Sequence, residues 1–244
     1  MSANVKPDAN TYRTTARVVG ALFIAGMVIG IAGHMLAQSI LGAPDRLSIV
    51  PANAMLIGIG AMLLLLTVAG DAAHGVLMYP ILKQDGERIA VGYLGFRIVD
   101  AVFIAISVVF LLLQIPLGRE YVNAAVPGTL NLQALSNVAI QANLYAYDIA
   151  MTFLGVAGLM LCYTFYRAKL VPRPLAVWGL VGYATILGGS VLQIMGFNLS
   201  SIHTIPGGLW ELFIGVCLLA KGFNASAFVV PARRTSTVPQ PALP

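Results

Sequence analysis

Six long stretches of this chain are nearly free of charge, and no other feature limits its fold as strongly. They run from about Ala16 to Leu41, Ala52 to Tyr79, Ile89 to Leu117, Asn137 to Tyr166, Leu175 to Met195 and Pro206 to Lys221. A helix of about 20 mostly apolar residues crosses the roughly 30 Å of hydrocarbon in a bilayer. In lipid the backbone polar groups must be satisfied within the segment, which makes each stretch a helix. The expected fold is therefore all-α, a polytopic membrane protein built as a six-transmembrane-helix bundle. Composition agrees: only 9% of the 244 residues are charged, where a soluble domain carries about 25%.

Prolines punctuate the pattern. Pro51, Pro174 and Pro206 stand at or just before helix starts, where a missing N–H costs little, and Pro80 and Pro116 stand at expected helix ends. Arg13 and Arg17 before the first apolar run resemble the start of a signal peptide, but the run is too long for an h-region and lacks a clear cleavage site. It reads as a retained helix. Residues 1–15 then form a cytoplasmic N-terminal segment, residues 16–224 the six-helix domain, and the Pro-rich residues 225–244 a disordered cytoplasmic tail.

Orientation follows from the cations. With both termini inside, eleven Lys and Arg residues lie in inner segments, only Arg46 and Arg119 lie in outer loops, and Arg97 falls within the third stretch. The positive-inside rule thus places both termini on the cytoplasmic side of the membrane. The net charge of +5 comes from these scattered residues, with no basic face or aromatic recognition motif, so lipid head groups are the expected partner and nucleic acid is not. Cys162 and Cys217 lie in apolar runs and serve as small hydrophobes.

Short loops make consecutive helices antiparallel neighbours. Only the outer segment from Gly118 to Ser136 is long, and it can form an interfacial helix or extend the fourth stretch. Gly26 and Gly30 form a GxxxG pair, a spacing that lets two backbones approach closely in lipid, either within the bundle or between two copies of the chain. Gly92 with Gly95, Gly155 with Gly158 and Gly179 with Gly182 invite the same reading.

The costly residues are the ionisable ones inside the apolar stretches, about 2.5–3.5 kcal/mol each at a helix centre. They are Asp71, His74, Arg97, Asp100, Asp148 and Glu211. Asp71 and His74 are three apart, as are Arg97 and Asp100, so each pair shares a helix face. Asp71 and Arg97 each lie eight residues, roughly 12 Å, from the same inner surface. An interhelical Arg97–Asp71 contact is the simplest way to neutralise both. Glu211 and Asp100 fall deeper, and Asp148 lies below a polar entrance containing Asn137, Gln141, Asn143, Tyr145 and Tyr147.

Four carboxylates against one arginine leave an excess of negative charge. Protonation or a bound cation must offset it in a low-dielectric interior. Three readings are open. The polar residues can form a purely structural network, a site that binds or moves a small cationic or amphiphilic ligand or protons, or a metal site in an intramembrane enzyme acting on a lipid-like substrate. For the last, His74, Asp100 and Glu211 are the candidate ligands, although their spacing matches no known metal signature. The sequence names no cofactor. His34 and His203 are expected at the interfaces, and Trp178 and Trp210 with Tyr12, Tyr79, Tyr163, Tyr166 and Tyr183 are expected mostly in aromatic belts.

Several segments carry a family resemblance: RVVGALF (17–23), YPILK (79–83), GYLGFRIVD (92–100), YRAKLVPRPLAVWGLVGY (166–183), and WELF followed by KGFN (210–224). In this order and spacing the chain resembles the bacterial membrane family called domain of unknown function (DUF) 4386. The resemblance spans nearly the whole chain and implies a six-helix integral membrane protein. It implies no reaction, substrate or catalytic residue. At Asp100 it implies Glu, so the carboxylate is kept.

Overall fold

The computed structural model describes residues 9–124 and 126–224. The expected tail, 225–244, lies outside the described residues, as do residues 1–8 of the expected N-terminal segment. In chain order the helices are α1 (Ala9–Leu41), α2 (Arg46–Ile49), α3 (Ala54–Leu82), α4 (Glu87–Leu112), α5 (Gln114–Asn123), α6 (Val126–Arg167), α7 (Arg173–Ile194) and α8 (Ile205–Lys221). Single 3-10 turns, Pro51–Asn53 and Ile202–Thr204, precede α3 and α8. No strand occurs among the described residues. Six helices, α1, α3, α4, α6, α7 and α8, are long and apolar enough to cross a membrane. Their outward faces carry large apolar side chains in the open, such as Met35, Met55, Val76 and Val109. Lipid, rather than water, is the solvent that suits such a surface.

Departures from the expected boundaries have local causes. The third apolar stretch divides at Leu113 because Pro116 has no N–H to give the Leu112 carbonyl, so α4 stops and α5 starts. Pro80, expected at a helix end, lies inside α3, which runs on to Leu82. The long outer segment does both things its sequence allows: it forms α5 and also extends α6 to 42 residues, ~63 Å at 1.5 Å per residue. That extension is clamped to its neighbours. Ser136 Oγ donates to Gln114 Oε1 at 2.7 Å, Gln114 Nε2 donates to the Ser136 carbonyl at 3.3 Å, and the Arg46 guanidinium donates to Asn137 Oδ1.

The six long helices form a closed ring in chain order, α1 beside α3, then α4, α6, α7 and α8, with α8 packed back on α1. At the end that holds Tyr12 and Phe223, the ring is filled. Val19, Met78, Leu82, Tyr93, Leu161, Phe165 and Leu218 are all almost wholly buried there. The KGFN segment helps to seal it, because Asn224 N donates to the Leu170 carbonyl at 2.9 Å and Phe223 lies against Phe165. A smaller cluster around Ile40, Ile57, Val108 and Leu111 holds α1, α3 and α4 together toward the other end.

Candidate functional site

Where the apolar core stops, aromatic rings make a floor across the ring of helices. Phe23 of α1 meets His74 edge-on at 4.5 Å and Trp210 at 5.8 Å, and Trp210 meets Tyr183 at 5.3 Å. Trp210 is wholly buried, and its indole N–H donates to the Leu175 carbonyl at 2.6 Å. Tyr183 is nearly as buried. Both correct the expectation of an interfacial belt, while Tyr163 and Tyr166 do face outward.

Above this floor lies a cavity of about 1430 Å³. It occupies the half of the bundle remote from the described chain ends, and the six long helices all contribute to its wall. Leu, Ile, Met and Gly make up much of the wall, and Asp71, His74, Arg97, Asp148 and Glu211 also line it. Asp100 does not.

Arg97 is the centre of the charged group. Its Nη2 donates to Asp71 Oδ1 on α3, the contact expected from equal depth, and its Nη1 donates to Asp100 Oδ2 at 3.1 Å on its own helix. Asp100 is fully buried and Arg97 nearly so, whereas the Asp71 side chain keeps 30% of its surface open on the cavity side. A buried arginine between two carboxylates is neutralised without water.

The other members are held separately. Tyr93, four residues before Arg97 and hence on the same face of α4, shares a 2.6 Å hydrogen bond with His74 Nδ1. Tyr183 on α7 donates to Glu211 Oε1 on α8 at 2.8 Å, and Gln193 on α7 donates to Asp148 Oδ1 on α6 at 2.7 Å. Asn143 donates to the Ser107 carbonyl at 2.6 Å. His34, near Tyr147, and His203, packed under Gly189 beside Ser190, also lie on the cavity wall.

Four buried polar atoms of these residues have no hydrogen-bond partner: His74 Nε2, Arg97 Nε, Asp100 Oδ1 and His203 Nδ1. Unpaired buried atoms are costly, and those of His74 and Arg97 belong to residues on the cavity wall. Among the described residues, no three His, Cys, Asp or Glu side chains come together as a set that could hold a metal ion. His74, Asp100 and Glu211 are each engaged with a different neighbour.

Of the residues expected as a polar network, Asp71, His74, Arg97, Asp148 and Glu211 line the cavity and Asp100 lies behind Arg97, while their uncharged partners Tyr93, Tyr183 and Gln193 were not singled out for this role. Tyr93 was accessible from its spacing to Arg97. Tyr183 and Gln193 were not, because each meets a partner on another helix. The glycine expectations divide as well. Gly26 and Gly30 line the cavity, and the closest approaches of α1 are made instead by Gly20 to Gly215 and by Gly33 to Gly60. Gly158 packs under Tyr183, and Gly182 against Gly207.

No curated protein and no solved structure matches this chain. A family model described as a domain of unknown function, DUF4386, matches residues 18–222, a span that holds most of α1, the whole of the other five long helices and every charged residue found on the cavity wall. The chain belongs to the DUF4386 family.

Proposed function

We propose that the protein binds a small amphiphile with a cationic head group in this cavity. The observation that carries the reading is the wall itself: three carboxylates, Asp71, Asp148 and Glu211, face a space walled largely by apolar side chains, with Arg97 as the one arginine or lysine beside them among the described residues. Arg97 is already shared between Asp71 and Asp100, which leaves Glu211 and Asp148 held only by uncharged donors. Unbalanced carboxylates in a low-dielectric space favour a positive guest. The alkyl part of such a guest suits the Leu, Ile and Met of the wall.

Asp100 has a different part. It is sealed away from the cavity and serves with Arg97 to hold the α3–α4 pair in register. The dispersal of His74, Asp100 and Glu211 gives the metal-enzyme reading no comparable support. In a bacterial cytoplasmic membrane with both termini inside, the cavity would face the outer leaflet.

Dodecylamine binding to the protein in lipid nanodiscs tests the reading. Saturable binding is expected, about tenfold weaker in Glu211→Gln and in Asp148→Asn. Dodecanoate binding as well as dodecylamine, or unchanged affinity in both variants, would overturn it.

A further inference from the structure

The cavity wall is not equally tight around the ring. α1 and α8 touch closely low in the bundle, where a Cβ on Gly20 would stand 2.7 Å from the Gly215 carbonyl oxygen and one on Gly215 would stand 2.7 Å from Ile24. Two turns higher the same two helices no longer meet. A Cβ on Gly208, seven residues from Gly215 and so on the same face of α8, would find nothing within 4 Å. The α1 residues that continue the Gly20–Ile24 face, Met27 and Ile31, each seven residues on, line the cavity instead of pressing on α8, as do Gly208 and Leu212 of α8.

The α3 side of α1 behaves differently. It also loosens at Gly70, but α1 is gripped again further out, at Gly30 against Thr67 and at Gly33 against the Gly60 carbonyl oxygen, where a Cβ would stand at 2.9 Å. On the α8 side, the chain reaches α8 only at Ile205, and Ile205 and Leu209 present apolar side chains in the open beside the gap. The gap therefore lies between two hydrophobic helix faces at a level where the surrounding solvent is lipid.

We propose that the upper part of the α1–α8 seam is a lateral portal, through which a single-chain amine passes from the bilayer into the cavity. The proposal rests on the ligand reading above and adds the route. An amphiphile dissolved in the membrane already has its chain at this depth. Entry here brings its head group to Glu211, one turn below Gly208 on α8, without carrying the chain through water. Gly208 keeps the opening free, because any side chain there projects into it.

Trp210 reports entry from beneath the floor. In a Trp178→Phe background it is the sole tryptophan. A dodecylamine brominated on its chain, added to vesicles, is expected to quench it with a measurable time course. Gly208→Phe fills open space on α8 and Ile31→Phe narrows the gap from α1, and each should slow that time course about tenfold while leaving final quenching nearly unchanged. Asn198→Phe, at the exposed water-facing mouth, should not slow it.

Unchanged rates in both portal variants, or slowing by Asn198→Phe alone, would overturn lateral entry. Glu211→Gln separates the two ideas. Loss of final quenching in this variant supports the head-group site whatever the rates show. Equal quenching in Glu211→Gln and the parent counts against the site and leaves the portal to be judged by the rates. No quenching of the parent at all would overturn both.

Discussion

Arg97 illustrates what a buried charge demands of its neighbours. Its two carboxylates are unequal: Asp71 opens on the cavity, where solvent or a ligand can screen it, but Asp100 is enclosed and has one oxygen already unpaired. Removing the arginine alone would leave Asp100 as an uncompensated buried charge, a change that costs about 3–5 kcal/mol in other proteins. Arg97→Ala should therefore lower the melting temperature strongly in a thermal-shift measurement. Adding Asp100→Asn should recover a larger part of that loss than adding Asp71→Asn. Equal recovery by the two second changes would mean that burial does not rank the partners. The sequence revealed the Arg97–Asp71 contact because depth along two antiparallel helices can be counted from a shared loop. It could not rank the carboxylates, since exposure to a cavity depends on which helices diverge above them.

Among elements, the glycines show why a motif is weaker than a surface. The GxxxG pair of α1 drew notice by its spacing, yet close contact is made one turn or so away on either side, at Gly20 and Gly33. Spacing three or four apart marks a face of a helix without saying which helix, if any, presses on it. The two classes of glycine should respond in opposite senses to alanine. Gly20→Ala would push a methyl against the Gly215 carbonyl, and Gly158→Ala would drive one into the Tyr183 ring. Overpacking of this kind costs roughly 1–3 kcal/mol. Gly26→Ala meets nothing and removes a flexible residue from a helix, which should be neutral or stabilising by up to about 1 kcal/mol. Unfolding of detergent-solubilised variants would measure both, and a destabilising Gly26→Ala would contradict the open space beside it.

For the whole molecule, the sequence was legible wherever physics acts on one segment at a time. Lipid solvation sets six helices from six apolar stretches, and the all-α bundle follows from them. The closure of the ring by α8 on α1, and the hollow above its aromatic floor, arise from side chains far apart in the chain, which is why no periodicity announced them. The same contrast bears on orientation, where short-range chemistry again decides. The end that holds Tyr12 also carries the Lys83–Glu87 pair at 2.9 Å and the Asp85–Arg167 contact at 3.5 Å, and Gln84 donates to the Tyr12 hydroxyl there. Most loop cations gather at this end, while the opposite end has Arg46 and Arg119 beside α5 and the long arm of α6. A hydrocarbon core about 30 Å thick covers less than half the length of α6, so its clamped arm extends beyond that core on the sparsely charged side.

Because cations resist translocation, the crowded end should remain in the cytoplasm and the α5–α6 cap should be exported. In a Cys217→Ser background, where Cys162 is buried, an impermeant maleimide should label Glu120→Cys on intact bacterial cells. Arg88→Cys should label about tenfold less until the cells are opened. The reverse pattern would invert the chain in the membrane and turn the cavity toward the cytoplasm, so that any amphiphile it takes would come from the inner leaflet.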